Sequence, residues 1–214
     1  MVAGTSLDPS LTLHKLLIAD QNLAPLRHHP DADEFEYLTE EFTLKHDLMF
    51  AQFKGVNNMT SYMYPDAALE RVTWTNKLMA LLFHIDDVYA DNAESKGMKG
   101  GAVAPEILAK IERSAVAFET GWLPPNSGGL ERGFQELRLE IQDQVEPEWM
   151  IRFSQIVRQH ISYAINPQAY GWKPDGNVPF ERYAWLREVI SGMYLAIDLI
   201  EYHNDFVLLP HVIY

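Results

Sequence analysis

The sequence contains no cysteine. Disulfides, thiolate nucleophiles, iron–sulfur clusters and cysteine-type zinc sites are all excluded by that one absence. Positive charge is also scarce: 17 Lys and Arg stand against 30 Asp and Glu, a formal net charge of −13. Nucleic-acid binders need a basic footprint for phosphate, and anionic membrane surfaces make the same demand, so neither partner is expected. The longest strongly apolar stretch, Leu78 to Ile85, is far too short to span a bilayer and is interrupted by His84. Residues Met1 to Ser10 show neither the basic nor the apolar region of a secretory signal. The expected compartment is the cytoplasm. Repeats, low-complexity tracts and linkers are missing too, and 214 residues suit a single domain over 1–214.

What the chain has in quantity is aromatic surface: 10 Phe, 10 Tyr and 5 Trp. Such a load fills a thick core or lines a cavity with rings. Strand signals are few, and apolar residues recur at three-to-four spacing almost throughout. Helices are predicted over Leu11–Ala24, Asp31 to about Phe53, Pro65 to about Asp91, Pro105 to about Trp122, Leu130 to about Val145, Pro147 to about Ile165 and Pro179 to about Tyr202. Gly97–Gly101, Pro124–Gly129 and Asn166–Val178 read as loops. The fold class is all-α, a bundle of six or seven helices.

The densest chemistry lies at Phe83-His84-Ile85-Asp86-Asp87-Val88-Tyr89-Ala90-Asp91. On a regular helix Asp87 and Asp91 share a face, with Asp86 at its shoulder. Three carboxylates at the negative end of a helix dipole repel one another. The residues alone allow two readings. One is a solvated acidic helix end; the other is a site for a hard divalent cation, since Mg²⁺ is commonly held by one or two carboxylates plus substrate phosphates. Arg187 likewise reads as a surface ion-pair residue or as a five-donor fork for phosphate. The eight histidines form no metal motif, and neither a phosphate loop nor a nucleophile elbow is present.

Tyr64-Pro65-Asp66, Glu70, Trp74 and Phe83-His84-Ile85-Asp86-Asp87 together resemble the metal-binding region of microbial class I terpene synthases, with Asp86-Asp87-x-x-x-Asp91 as one variant of the aspartate-rich motif. The upstream His29-Pro30-Asp31-Ala32 is similar to the family's N-terminal region. Glu181-Arg182-Tyr183-Ala184-Trp185-Leu186-Arg187, followed by Ser191-Gly192, looks like its diphosphate-sensor helix. The resemblance runs from about His29 to Pro210. It implies an antiparallel helical bundle and a linear prenyl diphosphate substrate. It implies Mg²⁺ on Asp86, Asp87 and Asp91, with Asp86 and Arg187 catalytic. Phe83, Arg187, Ile190 and Ser191 would touch substrate, with Ile190 and Ser191 at the linker and helix-break positions. Trp185 and Tyr194 are further candidate cavity rings.

The family's second metal motif has the form Asn-Asp-x-x-Ser-x-x-x-Glu. Asn204-Asp205 is followed by Leu208 and Val212 where Ser and the acid belong, so it reads as a helix-end pair. The expectation is therefore a C-terminally incomplete bundle: a fragment, a short homologue walled by another subunit, or a rebuilt metal set. Exposed apolar surface would then favour homo-oligomers. The leading expectation is a terpene cyclase acting on farnesyl or geranylgeranyl diphosphate. The alternatives are a chain-elongating prenyl diphosphate synthase and an inactive helical scaffold.

Overall fold

The computed structural model describes residues 26–48, 55–90, 103–166 and 178–207. Among them it contains eight α-helices and no strand: α1 (Ala32–Lys45), α2 (Val56–Met63), α3 (Leu69–Ile85), α4 (Pro105–Thr120), α5 (Gly129–Ile141), α6 (Pro147–Ile165), α7 (Phe180–Ile190) and α8 (Met193–Asn204). Between α3 and the chain beyond it lies one π-helical turn, Asp86–Ala90. The all-α expectation is met. The predicted helix over Leu11–Ala24 falls outside the described residues.

The centre of the bundle is α3. Apolar residues line it almost all round: Val72, Trp74, Leu78, Met79, Leu81, Leu82 and Ile85 are buried. A helix apolar on every side must be surrounded by others, and α1, α2, α5, α6 and α8 all pack against it. The polar atoms on α3 are satisfied as they are buried. Asn76 donates to Thr39 Oγ1 of α1 at 2.9 Å and accepts from Thr60 Oγ1 of α2 at 2.8 Å. Trp74 Nε1 donates to the Leu137 carbonyl of α5 at 2.9 Å. A stack of rings fills the opposite side: Trp149 lies on Phe153 at 4.6 Å and 13°, with Phe118, Phe134 and Tyr202 around them.

Sequence signals place most helix ends. Pro105 and Pro147 open α4 and α6, where a missing N–H costs nothing. Gly121 closes α4 in the left-handed conformation, φ +72°. Three expectations need correction. The acidic helix predicted to reach Phe53 ends at Lys45, with His46 and Asp47 in a turn. The segment Val56–Met63, for which no helix is predicted, is helical: Val56, Met59 and Met63 recur at helical spacing and it packs on α1 and α3. The single helix predicted over Pro179–Tyr202 is two, broken at Ser191 and Gly192, where Gly192 takes φ +75°.

His29 secures the entry to α1. Its Nδ1 accepts the Asp31 N–H at 3.1 Å, which makes Nε2 the donor to the Ala67 carbonyl at 2.9 Å. Its own backbone N–H meets Ser61 Oγ at 2.7 Å.

Candidate functional site

Where α3 ends, the helix widens. Asp86–Ala90 forms a π turn, bonded to the fifth residue rather than the fourth. The facing of Asp87 and Asp91 expected from α-helical spacing involves Asp91, which lies outside the described residues. Asp86 is exposed and Asp87 is half-buried. Tyr89 ties the turn to α4: Lys110 Nζ donates to its hydroxyl at 2.9 Å and sits 5.4 Å over its ring. His84 meets the same ring edge-on at 5.7 Å. Burial, helped by the charge of Lys110, pushes the His84 imidazole down to about 4, so it stays neutral at physiological pH.

Beside this turn is a cavity of about 330 Å³. Its wall brings α2, α3, α6, α7 and α8 together. Met59, Met79, Leu82, Phe83, Ile85, Ile161 and Leu195 supply apolar surface, and Asp86, His160, Arg187 and Ser191 supply the polar groups. Asp86 and Arg187 are exposed, whereas Ile85, Ile161 and Leu195 are buried, so opposite charges mark the solvent end of an apolar hollow. That size is at the low end of small-molecule sites, about 300–1,000 Å³.

Of the residues singled out in the sequence, Phe83, Asp86, Arg187, Ile190 and Ser191 all border this one cavity. Asp87 is not among its lining residues. Trp185 and Tyr194 are not either, which corrects their candidacy as cavity rings. Trp185 packs on Tyr163 at 5.5 Å and under the Arg182 guanidinium at 4.6 Å. The Tyr194 hydroxyl donates to Glu188. Asn204 and Asp205 close α8, with Asp205 left-handed at φ +54° and paired to Arg71, as a helix-end pair should be. His160 was an isolated histidine in the sequence, and no spacing signal marked it as a cavity residue.

Arg187 differs from most arginines of the molecule. Arg71, Arg113, Arg152 and Arg158 are each committed to carboxylates. Among the described residues, no ion pair engages Arg187.

The sequence family described as terpene synthase family 2, C-terminal metal binding, matches residues 77–214. The chain belongs to this terpene synthase family. Solved structures of terpene synthases share its fold. Cucumene synthase superposes with a TM-score of 0.64 at 16% identity, covering 88% of this chain and 62% of that one. Germacradien-4-ol synthase from Streptomyces citricolor gives 0.66 at 21%, covering 88% and 61%. Linalool/nerolidol synthase from Streptomyces clavuligerus, in complex with 2-fluorogeranyl diphosphate, gives 0.68 at 14%, covering 88% and 60%. The chain thus spans about six tenths of the length of these synthases. No curated protein matches the sequence at a significant level. Among the described residues, no helix of this terpene synthase family member is long and apolar enough to cross a membrane.

The family's metal-binding character can be tested against the donors present. Asp86 and Asp87 offer adjacent hard oxygen donors on the π turn, which suits a divalent cation that keeps part of its water shell. Among the described residues no trio of acid and histidine side chains gathers. A third protein ligand would have to come from elsewhere.

Proposed function

We propose that the chain carries the ionising half of a class I terpene cyclase site, acting on a linear prenyl diphosphate of farnesyl or geranylgeranyl length. The observation that carries this reading is the shared cavity: a carboxylate and a guanidinium at its exposed end, Phe83 and aliphatic side chains along its wall.

The chemistry follows from the residue types. Arg187 presents a planar fork that donates to two phosphate oxygens at once and holds the leaving group at the cavity mouth. Asp86 and Asp87 would hold Mg²⁺, which when bound draws negative charge from the diphosphate oxygens. The allylic C–O bond breaks, its electron pair leaves with the diphosphate, and the hydrocarbon becomes a cation. Phe83 offers that cation the face of a ring, worth about 0.5–2 kcal/mol. The Met, Leu and Ile side chains keep water from the cation, which would otherwise be quenched to an alcohol. Loss of a proton from carbon ends the sequence as a hydrocarbon.

The test is incubation of the full chain with Mg²⁺ and farnesyl or geranylgeranyl diphosphate, reading inorganic pyrophosphate release and extracted hydrocarbons by gas chromatography. Cyclic hydrocarbon with stoichiometric pyrophosphate supports the proposal. Longer prenyl diphosphates on adding isopentenyl diphosphate would replace it with chain elongation. A chain that neither releases nor binds pyrophosphate is a scaffold.

A further inference from the structure

A single π turn is rare, and where one interrupts α-helical bonding it often marks a functional site. The turn Asp86–Ala90 packs on α6 on one side. Towards α4 it is held through Tyr89. The Tyr89 ring meets His84, in the last turn of α3, edge-on at 5.7 Å. Its hydroxyl accepts a hydrogen bond from Lys110 Nζ of α4 at 2.9 Å. A hydrogen bond from a charged donor is stronger than one between neutral groups.

Lys110 differs from Lys45 and Lys77, the other lysines of the described residues. Those two pair with Glu136 and Glu140. Among the described residues no ion pair engages Lys110, and its ammonium goes to the phenol instead. The lysine stem is also placed. A Cβ on Gly128, just before α5, would meet Lys110 Cε at 3.6 Å and Glu131 Oε2 at 2.8 Å, so the end of the lysine lies beside a buried carboxylate. Glu131 Oε1 takes the Arg113 guanidinium at 3.0 Å, while Oε2 is buried with no hydrogen-bond partner. That carboxylate draws the ammonium to this part of the molecule.

Tyr89 and the acidic pair belong to one five-residue turn, so a tie on Tyr89 sets the course of Asp86 and Asp87. None of the described residues of α4 borders the cavity, whereas Asp86 does. Whatever Lys110 does for the site, it does through the turn.

We propose that Lys110 is a positioning residue for the acidic pair: by holding the Tyr89 hydroxyl it fixes the π turn against α4, and so the direction in which Asp86 and Asp87 leave α3 beside the cavity. The inference rests on reading the cavity as a metal–diphosphate site.

The test uses the full chain carrying Lys110→Met, which keeps the stem and loses the ammonium, Lys110→Arg, which keeps a cationic donor, and Tyr89→Phe, which keeps the ring and loses the acceptor. Calorimetric titration with inorganic pyrophosphate over a series of Mg²⁺ concentrations reads the site, and amide hydrogen exchange over 86–90 reads the turn. Lys110→Met should exchange faster and need about fivefold more Mg²⁺ for half-maximal pyrophosphate binding, the equivalent of one net hydrogen bond. Lys110→Arg should recover most of each loss. Tyr89→Phe should reproduce Lys110→Met, and the double variant should be no worse than either alone, as two residues acting through one contact require. Should Lys110→Met lose its helical circular dichroism, Lys110→Gln takes its place. Wild-type exchange and Mg²⁺ dependence in Lys110→Met overturn the inference, as do an Arg variant as impaired as the Met one and losses that add in the double variant. If wild type itself ignores pyrophosphate in the presence of Mg²⁺, the diphosphate reading falls and the positioning role with it. Faster exchange in Lys110→Met would then leave a structural tie alone.

Discussion

Asp86 and Arg187 border one cavity from two helices far apart in the chain, a carboxylate on the turn after α3 and a guanidinium near the end of α7. Both are exposed while the hydrocarbon wall behind them is buried. Opposite charges placed this way can grip the two sides of a metal–diphosphate complex, one through the cation and one through the anion.

Replacing Asp86 with Asn keeps the shape and removes the charge. Turnover of a prenyl diphosphate should fall about 100-fold. Magnesium-dependent binding of pyrophosphate, followed by calorimetry, should weaken in parallel, with helicity unchanged. A variant that binds and turns over like wild type would remove Asp86 from the site.

Arg187→Ala should weaken pyrophosphate binding by about tenfold or more, since a hydrogen bond to a charged group contributes about 1.5–3 kcal/mol. Arg187→Lys should restore charge but not the fork, recovering only part of the affinity. Melting temperature should move little in either variant, because Arg187 is exposed and no ion pair engages it among the described residues.

The path from sequence to candidate site was direct where the candidate residues sit in a local motif. Phe83 lies in the last turn of an apolar helix with Asp86 just after it, and Arg187 lies near the end of an aromatic one; both patterns are visible in the letters. Helix α6 was equally legible, opened by Pro147 and carried by Trp149, Phe153, Val157 and Ile161 at helical spacing. The break at Ser191 was not legible from periodicity, because Leu186, Leu195 and Leu199 are buried on both sides of it and one glycine is tolerated inside a helix. Helix α2 was missed because packing on α1 and α3, not the propensity of Asn57, Asn58 and Thr60, makes it helical. The π turn depends on how helices meet, which no single-chain pattern encodes.

A buried ion network holds α6 to α8. Arg152 reaches Asp198 at 3.1 Å and Glu201 at 2.7 Å, and both carboxylates are almost wholly shielded from water. Arg152→Met should cost about 3–5 kcal/mol at pH 7, because two buried carboxylates lose their cation. Burial already holds Asp198 above its usual pKa. In the variant, the deficit should be full above the raised folded pKa of Asp198 and shrink as acid protonates that carboxyl. Urea unfolding at pH 7 and pH 4.5 measures both.

His203 should make stability fall in mild acid. Burial, with Arg71 nearby, pushes its imidazole down to about 4, while Nε2 meets Thr75 Oγ1 at 3.0 Å. A folded pKa below the unfolded value of about 6.5 means the unfolded chain takes up the proton first. The loss therefore starts near pH 6.5 and grows by about 1.4 kcal/mol per pH unit down to about pH 4. His203→Gln retains a partner for Thr75 and should remove one proton's worth of that slope in urea titrations across the window.

At Gly129 the first turn of α5 runs against the end of α1. A Cβ there would lie 1.6 Å from the His46 carbonyl oxygen, so backbone must move. Gly129→Ala should lower stability by about 3 kcal/mol. Thermal melts that match wild type would show that the two helices can separate freely.

The wide turn at Asp86–Ala90 holds one residue more than the α-helix before it can accommodate. Deleting Val88 would let ordinary helical bonding resume and rotate everything downstream by one residue's share of a turn. A shortened chain of this kind would keep Asp86 and Asp87 at the end of α3 but turn Tyr89, and with it the tie to Lys110, away from its present direction. In this protein the course of the chain beyond the acidic pair is set by a residue count, and an insertion or deletion there would redirect it more surely than most substitutions.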